Sequence, residues 1–253
     1  MGSKVHGYQF VNNRLSNTLT PQYRTTMSPT RLRTEYRENP LGLDVPRPRL
    51  YWQVADDTQG ARQTAYQIQA GSACCEDDLW DTGKVDSNQT IHVPYEGAVP
   101  AGDFQRIWWR VKVWDQNGNE SGWSEPAYFE TGVTNWSAQW IQDLTLGGPR
   151  TTAPCPYFRK EISLRGEVKD ARLAITALGV YEAWINGQRV GDLYLEPGWT
   201  DYNKRVQYQV YDVTGMLQPG DNAVGAILGD GWYCGNVEWR GRQRVGRSAD
   251  CAR

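Results

Sequence analysis

Wherever this chain carries a regular pattern, the pattern repeats every second residue, and the longest such region runs from Ala171 to Tyr233. Leu173, Ile175 and Ala177 alternate with Arg172, Ala174 and Thr176, and Tyr181, Ala183 and Ile185 repeat the alternation. That spacing gives an extended strand one apolar face, whereas an amphipathic helix needs a repeat near 3.6. Asn186-Gly187 follows directly and suits the two left-handed positions of a tight hairpin turn. Gln207 to Thr214 and Asn222 to Leu228 read as further strands, joined through Gly215 to Gly220.

The first half reads the same way. Alternation begins at Arg31 with Leu32, Thr34 and Tyr36, ahead of a turn at Asn39 to Asp44. Arg49 to Val54, Tyr66 to Ala70 and Ile107 to Trp114 are strands, and Trp123 to Gly132 closes the unit. Trp108, Trp109 and Trp114 are assigned to core and strand-face packing, with Trp108 expected to fill the core. A chain of 253 residues can bury two ordinary cores. Its 26 Gly and 13 Pro suit strands and turns rather than helices. The expectation is an all-β protein of two consecutive β-sandwiches. Residues 1–29 form a poorly ordered lead-in, 30–133 the first sandwich, 134–156 a linker and 157–253 the second sandwich. Trp136, Trp140 and Ile141 are expected to pack at the start of the linker. Gly235 to Arg253 carries no strand periodicity.

Charge and cysteine usage exclude several classes of function. A net charge of -2 gives no electrostatic case for nucleic acid or an anionic membrane, and Arg240, Arg242, Arg244 and Arg247 read as a solvated tail. No apolar run approaches a membrane span. The first thirty residues lack the apolar core of a secretory signal. The five cysteines lack metal-site spacing. Both observations favour a reduced, cytoplasmic setting. His6 and His92 are the only histidines, and no Ser–His–Asp or Cys–His arrangement has support.

Four motifs, in order, carry a family resemblance: Ala177-Leu178-Gly179-Val180-Tyr181-Glu182-Ala183-Trp184-Ile185-Asn186-Gly187, Pro197-Gly198-Trp199-Thr200-Asp201-Tyr202, Tyr211-Asp212-Val213-Thr214 and Leu228-Gly229-Asp230-Gly231-Trp232-Tyr233. Together they resemble the N-terminal jelly-roll module of bacterial α-L-rhamnosidases. A looser frame, Phe158-Arg159-Lys160, Asn186-Gly187, Asp212-Val213-Thr214 and Gly220-Asp221-Asn222, is shared with the galactose-binding-like jelly rolls of β-galactosidases and β-glucuronidases. Asn39-Pro40-Leu41-Gly42, Gln63 to Gln67, Trp80 to Val85 and Trp109 to Asp115 resemble the fibronectin-III/Ig-like domain that precedes that jelly roll. In the family, further strands follow the position of Trp232-Tyr233, so the jelly roll here is expected to be incomplete at its C-terminal end. The resemblance implies a non-catalytic accessory part, because the family's acid and base lie in a downstream (α/α)6 barrel. The implied partners are that catalytic domain and L-rhamnose-containing glycans or glycosides. A self-standing lectin-like module and an adhesion or protein-interaction sandwich stay open, since such folds host many functions.

Glycoside hydrolysis by inversion needs two carboxyl groups about 6.5–9.5 Å apart. Asp201, Asp230, Glu182 and Glu196 sit among aromatics, but carboxylates in loops more often cap turns; no catalytic residue is assigned. Sugar binding has the better case, because aromatic faces stack on a pyranose while carboxylates bond its hydroxyls. The candidate residues are Trp199, Asp201, Tyr202, Asp230, Trp232 and Tyr233, where two loops are expected to meet. No cofactor is required. Some family modules bind rhamnose through calcium, which takes oxygen ligands; Glu182, Asn186, Asp230 and Asn236 are the candidate set.

Overall fold

The structure is a computed structural model; it describes residues 27–142, 154–238 and 241–242, with backbone alone at 236–238 and 241–242. The expected lead-in through residue 26 therefore lies outside the described residues, as does Gly147-Gly148-Pro149 in the linker. The described chain is β-structure apart from a 3-10 turn at Thr214–Met216 and one helical turn.

Seven strands build the first half: β1 (Ser28–Thr34), β2 (Arg49–Ala55), β3 (Ala65–Gly71), β4 (Trp80–Asp81), β5 (Val93–Pro94), β6 (Arg106–Trp114) and β7 (Ala127–Glu130). They form a three-stranded sheet, β1-β2-β5, and a four-stranded sheet, β4-β3-β6-β7. Alternation along β6 decides its orientation: Ile107, Trp109, Val111 and Val113 are buried, while Arg106, Trp108, Arg110 and Lys112 face outward. The inward row packs on Leu50, Trp52, Ile68 and Phe129 to make the core. Met27 joins that core at 3% exposure and β1 starts at Ser28, so residues 27–29, placed in the lead-in by the sequence, belong to the first sandwich.

The expected strand through Tyr36 is cut short. Thr34 and Arg37 exchange backbone hydrogen bonds around Glu35 and Tyr36, both at positive φ. Tertiary contacts hold this turn: the Glu35 carboxylate grips Arg49 through Nε at 3.1 Å and Nη2 at 2.6 Å, and the Tyr36 ring lies 4.6 Å from that of Tyr51.

The second half contains β8 (Tyr157–Leu164), β9 (Arg172–Ile175), β10 (Val180–Ile185), β11 (Gln188–Arg189), β12 (Gln209–Asp212) and β13 (Gly220–Gly229). Beyond them come α1 (Gly231–Cys234), β14 (Asn236–Glu238) and β15 (Gly241–Arg242). One sheet has the order β11-β10-β13-β8, and the facing sheet is the pair β12-β9. The β10–β11 hairpin turns at Asn186 (φ 50) and Gly187 (φ 80), the conformation that the Asn-Gly pair implied. β14 and β15 form a small antiparallel pair where no strand was expected. Two-residue and three-residue strands offer too few positions for periodicity to register.

The two sheets are unequal, so coverage falls off across the larger one. Tyr181, Ala183 and Ile185 on β10 are buried, the register-matched Leu228, Ala226 and Val224 on β13 are half-buried, and Lys160 on β8 is exposed. Trp136 rests edge-on against Tyr208 at 5.1 Å, but Trp140 and Ile141 are 64% and 70% exposed and do not pack as expected.

The position of the tryptophans revises one expectation. Trp109, not Trp108, fills the first core, at 1% exposure; Trp108 lies on the outer face against Tyr128. Trp109→Ala is expected to cost about 3–5 kcal/mol of stability through the cavity it leaves, and Trp108→Ala well under half of that. Urea unfolding of the two variants measures the difference; equal losses would contradict this assignment.

Candidate carbohydrate site

At one end of the second sandwich, two segments that are remote in sequence come together. The first, Leu195 to Arg205, connects β11 to β12. It is tied to β10 by the Tyr181 N–H, which donates to the Glu196 carbonyl at 2.8 Å. It is tied to β12 by Gln209 Nε2, which donates to the Pro197 carbonyl at 3.2 Å across a cis Glu196-Pro197 bond. The second segment is the end of β13 with α1. Gly179 and Gly231 make this crossing possible: a Cβ on Gly179 would stand 2.3 Å from the Gly229 carbonyl oxygen, and one on Gly231 would stand 2.9 Å from the Gly179 backbone. Both also have positive φ, which side chains disfavour.

Two ring pairs join the segments. The Trp199 and Trp232 indoles are parallel within 6°, with centroids 6.0 Å apart, an offset stack. Tyr202 meets Tyr233 edge-on at 5.4 Å. Trp199 is 64% exposed and offers its indole to solvent. The Tyr202 hydroxyl is buried without a hydrogen-bond partner, and burial, followed by the nearby Cys234, pushes its pKa up. The six expected sugar-contact residues thus share one end of the sandwich.

Their carboxylates have local work. Asp201 caps its own turn: Oδ1 accepts from the Asn203 N–H at 3.2 Å, and Oδ2 pairs with Lys204 Nζ at 3.3 Å. Asp230 precedes α1 and accepts from the Cys234 thiol at 3.3 Å. The expected loop at Gly229 to Tyr233 is therefore a single helical turn.

The calcium set does not converge. Asn186 lies just past one end of the β10–β13 ladder and Asp230 just past the other, on the order of 24 Å apart at about 3.4 Å per residue. Its amide is consumed by the fold, donating to the Met216 carbonyl and Asn222 Oδ1 and accepting from the Ala223 N–H. Glu182 lies on the outward row of β10 opposite Ile227. The Asn236 side chain lies outside the described residues. Among the described residues, no group of three His, Cys, Asp or Glu side chains can hold a metal ion. Asn186 and Asp230 cannot share one ion, because the length of the β10–β13 ladder keeps them apart.

Sequence reasoning missed the polar network behind the aromatic pair. Glu196 is 5% exposed and accepts from the Tyr211 hydroxyl, while its Oε1 is buried without a partner. Tyr181 donates to Gln209 Oε1 at 2.8 Å and lies 3.4 Å from the Tyr211 hydroxyl. Burial pushes both tyrosines upward, joined by the Tyr211 hydroxyl for Tyr181 and by Glu196 for Tyr211. Beside them the Arg189 guanidinium lies 4.2 Å from the Tyr194 ring centre. Glu196 stood out in the sequence as an acid among aromatics; no local signal pairs it with Tyr211, fifteen residues on.

Comparison with known proteins adds the lineage. Residues 29–135 match the family described as "Rha78A-like, N-terminal immunoglobulin domain", and residues 166–252 match "Alpha-L-rhamnosidase N-terminal domain". An α-L-rhamnosidase of Formosa agariphila is 35% identical over 234 residues, covering 81% of this chain and 24% of that protein. The solved α-L-rhamnosidase of Dictyoglumus thermophilum superposes with a TM-score of 0.75 at 40% identity, over 81% of this chain and 25% of that one. The Streptomyces avermitilis α-L-rhamnosidase, solved with L-rhamnose, gives a TM-score of 0.68 at 26% identity, over 85% and 38%. This chain thus spans about a quarter of the length of the Formosa and Dictyoglumus relatives.

Tyr211→Phe tests the buried network. It leaves the Glu196 carboxylate without its donor, at an expected cost of about 1–3 kcal/mol near neutral pH. An unfolded tyrosine releases its proton near pH 10, whereas the folded Tyr181 and Tyr211 hold theirs to higher pH. Stability should therefore fall as pH rises above 10, and Tyr211→Phe should flatten that fall. Thermal melts across this range measure both effects; an identical alkaline slope in the variant would contradict the assignment.

Proposed function

The chain belongs to the N-terminal region of the α-L-rhamnosidase family, and from that premise we propose that it is a non-catalytic accessory unit that binds a rhamnose-type sugar. The observation that carries this reading is the solvent-facing Trp199 indole stacked on Trp232, with Asp201 and Asp230 beside the two rings in sequence. An indole face packs on the C–H face of a pyranose, and the carboxylates accept from its hydroxyls. The parent reaction, release of terminal α-L-rhamnose, belongs to a catalytic domain in the remaining length of such proteins. No helix among the described residues is long and apolar enough to cross a membrane.

A second reading has its own observation. Leu193, Tyr194 and Leu195 are 55%, 73% and 60% exposed, a few residues before the exposed Trp199 in the same segment. Such a patch suits docking against the rest of a longer protein, and the aromatic end would then be scaffold rather than sugar site.

Calorimetric titration with L-rhamnose separates the readings. An open platform of this size should bind a monosaccharide with a dissociation constant on the order of mM to tens of µM. Trp232→Ala should remove the heat while the protein stays folded. Because the expected calcium ligands do not converge, a chelator should leave binding unchanged. The chain by itself should not hydrolyse an aryl α-L-rhamnoside. No heat with folded protein would leave the scaffold reading in place, and turnover abolished by Glu182→Gln or Asp230→Asn would overturn the non-catalytic assignment.

A further inference from the structure

β8 ends the four-stranded sheet, and among the described residues no strand pairs with its outer side. Backbone direction along it follows from the ladder with β13. The Leu228 N–H donates to the Pro156 carbonyl at 3.1 Å, so the even-numbered residues of β8 turn their N–H and C=O groups toward β13. Tyr157, Arg159, Glu161 and Ser163 therefore aim theirs at the open edge. This edge is eight residues long and carries no proline or bulge within its register, so Lys160 on its inward row is its main guard against pairing.

The side chains along it are self-complementary. With two copies antiparallel about a two-fold axis at Lys160, Arg159 of each copy stands opposite Glu161 of the other. Phe158 stands opposite Ile162, and Tyr157 opposite Ser163. The pairs formed by Arg159, Glu161, Tyr157 and Ser163 are those whose backbone groups point outward, so ladder hydrogen bonds and ion pairs fall in the same register. Arg159 and Glu161 are 65% and 69% exposed at their side chains and already bridge each other at 2.6 Å on one face of the strand. Phe158 and Ile162 are half-buried on the opposite face, beyond the cover of β12-β9. Shifting the register by two residues sets Glu161 against Glu161 or Arg159 against Arg159, which electrostatics disfavours.

We propose that β8 is a self-association edge, through which two copies of this chain join their sheets in antiparallel register centred on Lys160. The Lys160 pair, face to face across the axis, opposes the contact and keeps it reversible.

Sedimentation velocity of the full 253-residue chain, from micromolar to hundreds of micromolar, tests this. Reductant is needed because Cys74, Cys75 and Cys155 are exposed free thiols. A concentration-dependent monomer–dimer equilibrium is expected. R159E sets like charges opposite each other and should weaken the dimer at least about tenfold; R159E/E161R should restore it; K160T should strengthen it. Near-UV circular dichroism verifies that each variant is folded. A monomer at every concentration, a dimer indifferent to R159E, or a charge-swapped double variant that fails to recover would each overturn the proposal.

Discussion

A carboxylate with 1% of its surface exposed must be neutralised inside the protein, and Glu130 is neutralised from both sandwiches at once. Arg106, its neighbour across the β6–β7 ladder, reaches Oε2 at 3.0 Å. Arg172, at the start of β9, reaches Oε1 at 2.6 Å and Oε2 at 2.9 Å in a two-pronged contact. Removing one partner of such a pair strands the other charge, so the arrangement resists separation of the two halves. Asp170 at 2.7 Å and Asp212 at 3.2 Å complete the surroundings of Arg172, and the Glu130 hydrogen bonds are the largest cause of its raised pKa. A second tie lies close by. The Tyr208 hydroxyl donates to Asp44 at 2.5 Å and accepts from the Val133 N–H at 2.9 Å. Only glycine fits at 132, where a Cβ would stand 2.0 Å from that hydroxyl oxygen.

The same ion pair anchors the element on which the candidate site depends. Arg172 and Asp212 face each other at one end of the β9–β12 ladder, and Gln209 lies at the other end. Gln209 and Tyr211 hold the Glu196-Pro197 segment from beneath, and that segment delivers Trp199 to Trp232. A continuous series of contacts therefore joins the first sandwich, through β9 and β12, to the aromatic end of the second. The β8 side of the larger sheet lies outside this series. There the inward row passes from half-buried Val224 to exposed Lys160, and among the described residues no strand covers the β8 edge.

Much of this was legible in the sequence, for definable reasons. Long strands with one buried face carry their own period, so β6 and β10 could be read almost to the residue. Asn186-Gly187 identified its hairpin because few other pairs adopt two left-handed positions. The meeting of the Trp199 and Trp232 segments was expected because both concentrate aromatics and carboxylates at strand ends, where a rigid scaffold places binding groups. What escaped detection depends on contacts between distant residues. The Glu35-Tyr36 turn is made by Arg49 and Tyr51, the choice of Trp109 over Trp108 follows from which face of β6 meets the core, and Glu196 gains its role from Tyr211. The scatter of the calcium candidates had the same origin: residue type was visible, and distance along a ladder was not.

The Trp199–Trp232 pair is the proposed sugar platform, and the indole N–H resonances report on it residue by residue. On titration with L-rhamnose, the Trp199 and Trp232 signals should shift and saturate together, while those of Trp52 and Trp109, buried in the first core, stay fixed. Unmoved Trp199 and Trp232 signals at saturating sugar, or shifts confined to other indoles, would contradict that role.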